Sequence, residues 1–335
     1  MARLELDKPV SDYLAEWKSR TDPTPITVRQ LLAHTSGLPF CSPEELDHPG
    51  GAARFAGSKF AHWRDTADDC VYDFIDLCSA IEGYSRVKLV TPPGEGWLYS
   101  NAGINTAGRV IEAISGEPFD KFVDSRLLQP LGMPDTTLWP SAEQLSRLAT
   151  CYQNTEDGRL LPIGFPALTP PYSDRSRAVA PSGGYFSTAR DFGQFARMLL
   201  RGGELDGRRY LSEAAVAEMT SKQTGKGIVD AYGLGVQLDH FDQMDCAPVR
   251  PARPTRTTPD NAPVGQPSTL RGGPSQGGGG GYGHGGAAGT ELWVHPAAGR
   301  CTVLMVHQDG GVTADGGALR RAVKAAGKVL HAPLL

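Results

Sequence analysis

The chain has 335 residues, a formal net charge of −4 and 40% hydrophobic residues. That composition supports a sizeable core in one or two domains, and it lacks the basic excess that a nucleic-acid partner requires. No run of eighteen apolar residues occurs, so no membrane span is expected, and the opening MARLELDKPVSDY has no apolar signal-peptide core. Localisation stays open on these grounds.

In chain order, TVRQLLAHTSGLP begins with Thr27 as a helix cap and has Gln30 three residues on, a capping-box pattern. Val28, Leu31 and Leu32 supply one apolar face, and Gly37 and Pro39 stop the helix. A polar stretch follows, with a helix expected around Val71 to Ile81. Pro92-Pro93-Gly94 makes a rigid turn, and Asn101 then opens a helix in which Ile104, Ala107, Val110, Ile111 and Ile114 recur at helical spacing until Gly116. Phe119 to Leu127 reads as a further short helix. Thr188 with Asp191 repeats the cap signal ahead of Phe192, Phe195, Met198 and Leu199, so residues 28–200 read as mostly helical.

The period then changes. Glu291 to Pro296 and Cys301 to His307 are strand-like runs around Ala-Ala-Gly, a hairpin signal, and Ala318 to Leu330 reads as a closing helix. The chain has 41 glycines and 26 prolines, about a fifth of its length against an average near 12%. The excess concentrates between Phe241 and Gly281, an insertion or loop with a glycine run at its end. GGGGGYGHGG lacks the GK[ST] ending of a phosphate loop, and a single RGG on an acidic chain is no RNA signal. The six cysteines show no zinc spacing and read as free, mostly buried thiols, so no metal or other cofactor is expected.

Six segments occur in a recognisable order: LELDKPVSDYL, ITVRQLLAHTSGLP, TPPGEGWLYSNAG, LLQPLGMPDT, PSGGYFSTARDFGQFARMLLRGGELDG and GHGGAAGTELWV. Together they resemble the serine β-lactamase-like family, which includes class C β-lactamases, related esterases and D-alanyl-D-alanine peptidases. The resemblance implies an α/β (α+β) fold, with an antiparallel sheet flanked by helices and a mostly helical region. It implies one domain over residues 1–335, to which residues 282–335 contribute C-terminal strands and a helix. It further implies a serine hydrolase working through an acyl-enzyme on a small ester, a D-amino-acid peptide or a β-lactam-like ligand.

Such a hydrolase needs a nucleophile, a proton-moving group and donors for the oxyanion. The resemblance assigns the proton-relaying tyrosine of Y-x-N to Tyr99 and its substrate-binding carboxamide to Asn101. A free phenol titrates near 10, so Tyr99 needs a neighbouring cation to relay protons near neutral pH. The Lys-Thr-Gly position falls on His284-Gly285-Gly286, and the N–H of Ala287 is the expected oxyanion donor. His in place of Lys favours esters or D-amino-acid substrates over β-lactams, because a neutral imidazole is the weaker carboxylate partner. His34 is expected to pack under the site, and His295 and His307 to be surface or filling residues.

The remaining family motif is Ser-x-x-Lys, which the family carries upstream of the segment matching Leu4 to Leu14. Its one occurrence here is Ser85-Arg86-Val87-Lys88. With 20 serines and nine lysines in the chain, roughly half a match arises by chance. Val87, Leu89 and Val90 favour extended structure there, and Pro92 follows closely. The resemblance therefore implies that the nucleophile helix and first strands are missing, and that the chain as given is inactive. The missing region is expected to reflect a misassigned start, a fragment or genuine loss of catalysis. The alternative function is a non-catalytic binder of cell-wall-like peptides or esters.

Overall fold

A computed structural model describes residues 4–40, 76–154, 159–164, 168, 170–228, 231–238 and 280–307. Helix α1 (Val28–Leu32) forms because its capping box closes both ways: the Gln30 N–H donates to the Thr27 hydroxyl, and the Thr27 N–H donates to the Gln30 side chain. Helix α2 (Leu77–Arg86) is capped by Asp76, which accepts from the Ser79 N–H. Helix α3 (Asn101–Ser115) has Ser100 as its N-cap and ends on Gly116, whose φ of 73° is the left-handed C-cap conformation. Helix α4 (Phe119–Val123) runs on into a π-helical turn at Asp124–Leu128, where a single helix was expected. Helix α5 (Ala142–Ser146) precedes a hairpin of β1 (Cys151–Asn154) and β2 (Leu160–Ile163), which no sequence signal predicted.

The second half opens with α6 (Ala189–Leu200), which starts at the Thr188 cap as its sequence signal indicates. A short ribbon, β3 (Glu204–Leu205) with β4 (Arg208–Arg209), leads to α7 (Glu213–Met219). The main sheet among the described residues is antiparallel, with β5 (Gln237–Leu238), β6 (Tyr282–Gly285), β7 (Glu291–His295) and β8 (Arg300–Leu304) in that spatial order. The expected C-terminal hairpin is β7–β8. The helix seen packing on it is α6, from the region read as the helical part; the helix expected at Ala318 to Leu330 lies outside the described residues. So does the loop from Phe241 up to its last two residues, and so do residues 71–75 of the helix expected at Val71, which is observed from Leu77.

Two apolar clusters form among the described residues. One gathers Val10, Leu14, Trp17, Val28, Leu31, Ile81, Tyr84 and Val110 between the N-terminal turns and α1–α3. The other packs Met198 and Leu199 of α6 against Tyr282, Leu292 and Val294 of the sheet. The six sequence segments serve as partners for one another. Leu98, Gly94 and Val90 donate backbone bonds to His34, Thr35 and Gly37, and the Ala102 N–H donates to the Phe40 carbonyl. Gly37 sits at φ 77°, and a Cβ there would overlap the Thr91 carbonyl, so this crossing requires glycine. Likewise Thr137 and Phe186 exchange both backbone bonds, while buried Asp191 accepts from the Asp135 N–H and the Thr136 hydroxyl.

Arg20 closes the open end of α2. Its guanidinium donates to the carbonyls of Tyr84, Ser85 and Val87 at 3.0–3.2 Å and pairs with Asp22. Arg20→Ala leaves three helix-end acceptors without that donor, with an expected cost of about 2–3 kcal/mol. Thermal denaturation checks this, and an unchanged midpoint would refute it.

Candidate active site

The site is built where the HTSG turn crosses the segment leading into α3. Ser100, fully buried, has each polar group engaged: its N–H donates to His34 Nδ1 at 3.1 Å, and its hydroxyl donates to the Pro39 carbonyl and accepts the Gly103 N–H. With Ser100 locked, its neighbours are set. Asn101 is the first residue of α3 and is buried; Tyr99 is partly buried on the extended segment before it.

His34 lies directly against Tyr99. Their ring centroids are 4.4 Å apart, and the His34 backbone has φ 57°, a conformation rarely taken by a side-chain-bearing residue, at a cost of about 1 kcal/mol. Because Nδ1 accepts the Ser100 N–H, the neutral ring carries its proton on Nε2. Burial, with a smaller push from His284, holds the imidazole's pKa down to about 3. Trp97 and Tyr232 complete the wall: Tyr232 stands 4.8 Å from His34 and 5.9 Å from Trp97 between ring centroids. Burial raises the Tyr232 phenol well above its ordinary value.

The opposite side is β6. His284 is brought to 6.0 Å from Tyr99 and 6.1 Å from Tyr232, ring centre to ring centre. Its Nδ1 lies 2.6 Å from the Gly285 carbonyl, which can only accept, so that nitrogen is the donor and Nε2 is left as an acceptor. Burial lowers its pKa against the smaller opposing effect of that bond. Beyond it, the Gly286 N–H donates to the Thr290 carbonyl and the Gly289 N–H to the Gly286 carbonyl, which puts Ala287 on an exposed turn. On β6 the glycine required by close packing is Gly283, where a Cβ would meet the Leu292 carbonyl and the Trp293 ring; at Gly285 there is room for one.

Ser85 stands apart in character. It is buried in the last turn of α2, and its hydroxyl donates to the Glu82 carbonyl at 2.7 Å. Val87 ends the helix in an extended conformation, so exposed Lys88 does not share a helical face with Ser85. Val87 is extended as its sequence signal indicates, while the helix expected to end near Ile81 runs on to Arg86. His295 is buried at the end of β7, a filling residue, while His307 lies beyond β8 with its ring against the Ala149 carbonyl. Among the described cysteines Cys151 is buried and Cys301 half-buried, but Cys78 is exposed, against the expectation of mostly buried thiols. Sequence reading missed Trp97 and Tyr232. Trp97 was detectable, being two residues from Tyr99 and so on the same side of an extended segment; Tyr232 arrives from a distant loop without a motif.

The profile of the family described as Beta-lactamase matches residues 2–327. The chain belongs to that family, whose members are serine hydrolases. It is 29% identical over 238 residues to penicillin-binding protein 4 of Amycolatopsis lactamdurans, covering 69% of this chain and 53% of that one. It is 28% identical over 201 residues to lovastatin esterase of Penicillium rubens, covering 60% and 45%. The chain thus spans about half the length of the curated relatives it matches. Among solved structures, the hydrolase EstCE1, with promiscuous acyltransferase activity, superposes with a TM-score of 0.65 at 21% identity, covering 92% of this chain and 74% of that one. A penicillin-binding protein of Bacillus halodurans superposes with a TM-score of 0.60 at 21% identity, covering 96% of this chain and 79% of that one, which establishes the β-lactamase/penicillin-binding-protein fold. No helix of the described residues is long and apolar enough to cross a membrane.

The lowered His34 pKa has a sign for stability. In the unfolded chain the ring titrates near 6.5, so below that pH the unfolded state takes up a proton that the folded state refuses. The contribution is complete above 6.5 and is lost as pH falls toward about 3. The groups facing this ring are the phenols of Tyr99 and Tyr232, the Trp97 indole and His284, whose own shift has the same sign. His34→Asn should therefore flatten, without abolishing, the fall in melting temperature between about pH 7 and pH 5. Parallel curves for the two proteins would refute this.

Proposed function

We propose that this protein's site serves acyl transfer to water, with an ester or D-amino-acid peptide as substrate. The substrate lies between the head of α3 and the β6 edge. A serine hydroxyl attacks the carbonyl, the alcohol or amine leaves with a proton, and water then cleaves the acyl-serine ester. Tyr99 moves the proton, the Asn101 carboxamide holds the ester or amide group, and the backbone beyond Gly285 and Gly286, at Ala287, faces the developing oxyanion. What supports this most is the 6.0 Å approach of Tyr99 to His284 across the gap between those elements. No metal or organic cofactor enters the reaction.

His284 bears on substrate choice. A neutral ring offering an acceptor nitrogen is a poor partner for a carboxylate and a good one for a hydroxyl or amide N–H. This favours uncharged esters over β-lactams, and His284→Lys should tighten benzylpenicillin binding about tenfold, as one added charge-assisted bond would. Equal dissociation constants for the two proteins would count against that assignment.

The nucleophile in this reading is not Ser85, whose hydroxyl is bonded to the Glu82 carbonyl and whose Lys88 lies exposed beyond the end of the helix. The described residues supply the substrate-side groups of this reaction. Fluorophosphonate labelling and peptide mapping of the protein from its own cells provide the test. The expected result is one labelled serine other than Ser85, and ester turnover about 10²–10³-fold lower in Tyr99→Phe. A label on Ser85, or full turnover in Tyr99→Phe, overturns this mechanism. The second reading is a non-catalytic binder, supported by the buried Asn101 and by the acceptor nitrogen that His284 keeps, which serve ligand binding without turnover. Under it no serine is labelled, and an N-acetyl-D-alanyl-D-alanine-induced rise in melting temperature disappears in Asn101→Ala.

A further inference from the structure

The family motifs assign no task to His34, yet its geometry is unusually committed. Its ring nitrogen accepts the Ser100 N–H at 3.1 Å, and its carbonyl accepts the Leu98 N–H at 2.9 Å. Its ring face lies 4.4 Å from Tyr99, with Tyr232 4.8 Å away and Trp97 6.0 Å away. The residue is buried and holds φ 57°, which glycine or asparagine would adopt more cheaply. A strained backbone kept at a site-bordering position points to a use for the side chain it carries.

We propose that His34 is the positioning residue of this site, clamping residues 98–100 from both backbone and ring so that Tyr99 keeps a single orientation toward His284. The inference rests on the reading of Tyr99 as the proton-moving group. Two bonds, from Leu98 to the His34 carbonyl and from Ser100 to its ring nitrogen, grip the residues on either side of Tyr99. A phenylalanine there would keep the ring and lose the acceptor. An asparagine would keep an acceptor, tolerate the backbone and lose the ring. Burial, which keeps the imidazole unprotonated, preserves the acceptor at neutral pH.

The test uses the full chain labelled with 3-fluorotyrosine, with the Tyr99 fluorine signal identified by its loss in Tyr99→Phe. In the wild type a single Tyr99 line is expected. In His34→Phe that line should broaden or split while the Tyr210 signal, from the other apolar cluster, stays unchanged; His34→Asn should restore a single line. Ester turnover, measured with p-nitrophenyl butyrate on the protein from its own cells, forms the second arm. There His34→Phe should lower kcat about tenfold with little change in KM. An unchanged, single Tyr99 line in His34→Phe overturns the proposal. A split line in a wild-type protein that shows no turnover leaves no fixed orientation to explain and overturns it too. A single wild-type line that splits in His34→Phe, without any turnover in the wild type, upholds the clamp and refutes the hydrolase reading alone. If His34→Phe does not fold, His34→Gly, which takes the same backbone and also lacks the acceptor, replaces it with the same expected broadening.

Discussion

The crossing of residues 34–40 over residues 90–102 is the constraint on which the site depends. Four backbone hydrogen bonds join the two segments, and one serine, Ser100, is saturated at the point where they meet. Burying that many backbone groups is tolerable only because each finds a partner, and the partners are supplied by the other segment rather than by a regular element. The crossing needs a glycine at Gly37 and a left-handed histidine at His34, so the loop cannot relax without releasing Tyr99 and the start of α3. The same logic recurs at the GMPDT turn, which Asp191 and Phe186 hold from the start of α6.

Around that crossing the electrostatics are uniform. His34, His284 and Tyr232 are all pushed by burial toward their uncharged forms, and they face one another across aromatic contacts. Under the proposed function, this wall of rings positions the Tyr99 phenol.

The two apolar clusters show how the fold joins these sides. The first holds α1, α2 and α3 under the HTSG crossing, and Arg20 closes α2 beneath it. The second fastens α6 to the sheet and so sets the edge that bears His284. Tyr99 and His284, far apart in sequence, meet because α1 and the Tyr232 loop are also tied, the Gly235 N–H donating to the Leu32 carbonyl. Three separate segments thus converge on one wall.

Much of this was legible in the sequence where the physics is local. The caps at Thr27 and Thr188, the glycine stop at Gly116 and the period-two hairpin at residues 291–304 follow from short-range hydrogen bonding and side-chain spacing, and the structure keeps them. Tyr99, Asn101 and His284 were named by resemblance to the family's motifs, not by any local signal in the chain. Tertiary structure alone decided that His34 supports Tyr99 face to ring, that Tyr232 belongs to the wall and that both imidazoles are neutral. It also carried the second helix past Ile81, so that Ser85 lies in its last turn. Those outcomes depend on which distant segments bury a side chain and which carbonyl or N–H it meets there, and neither spacing nor composition encodes that.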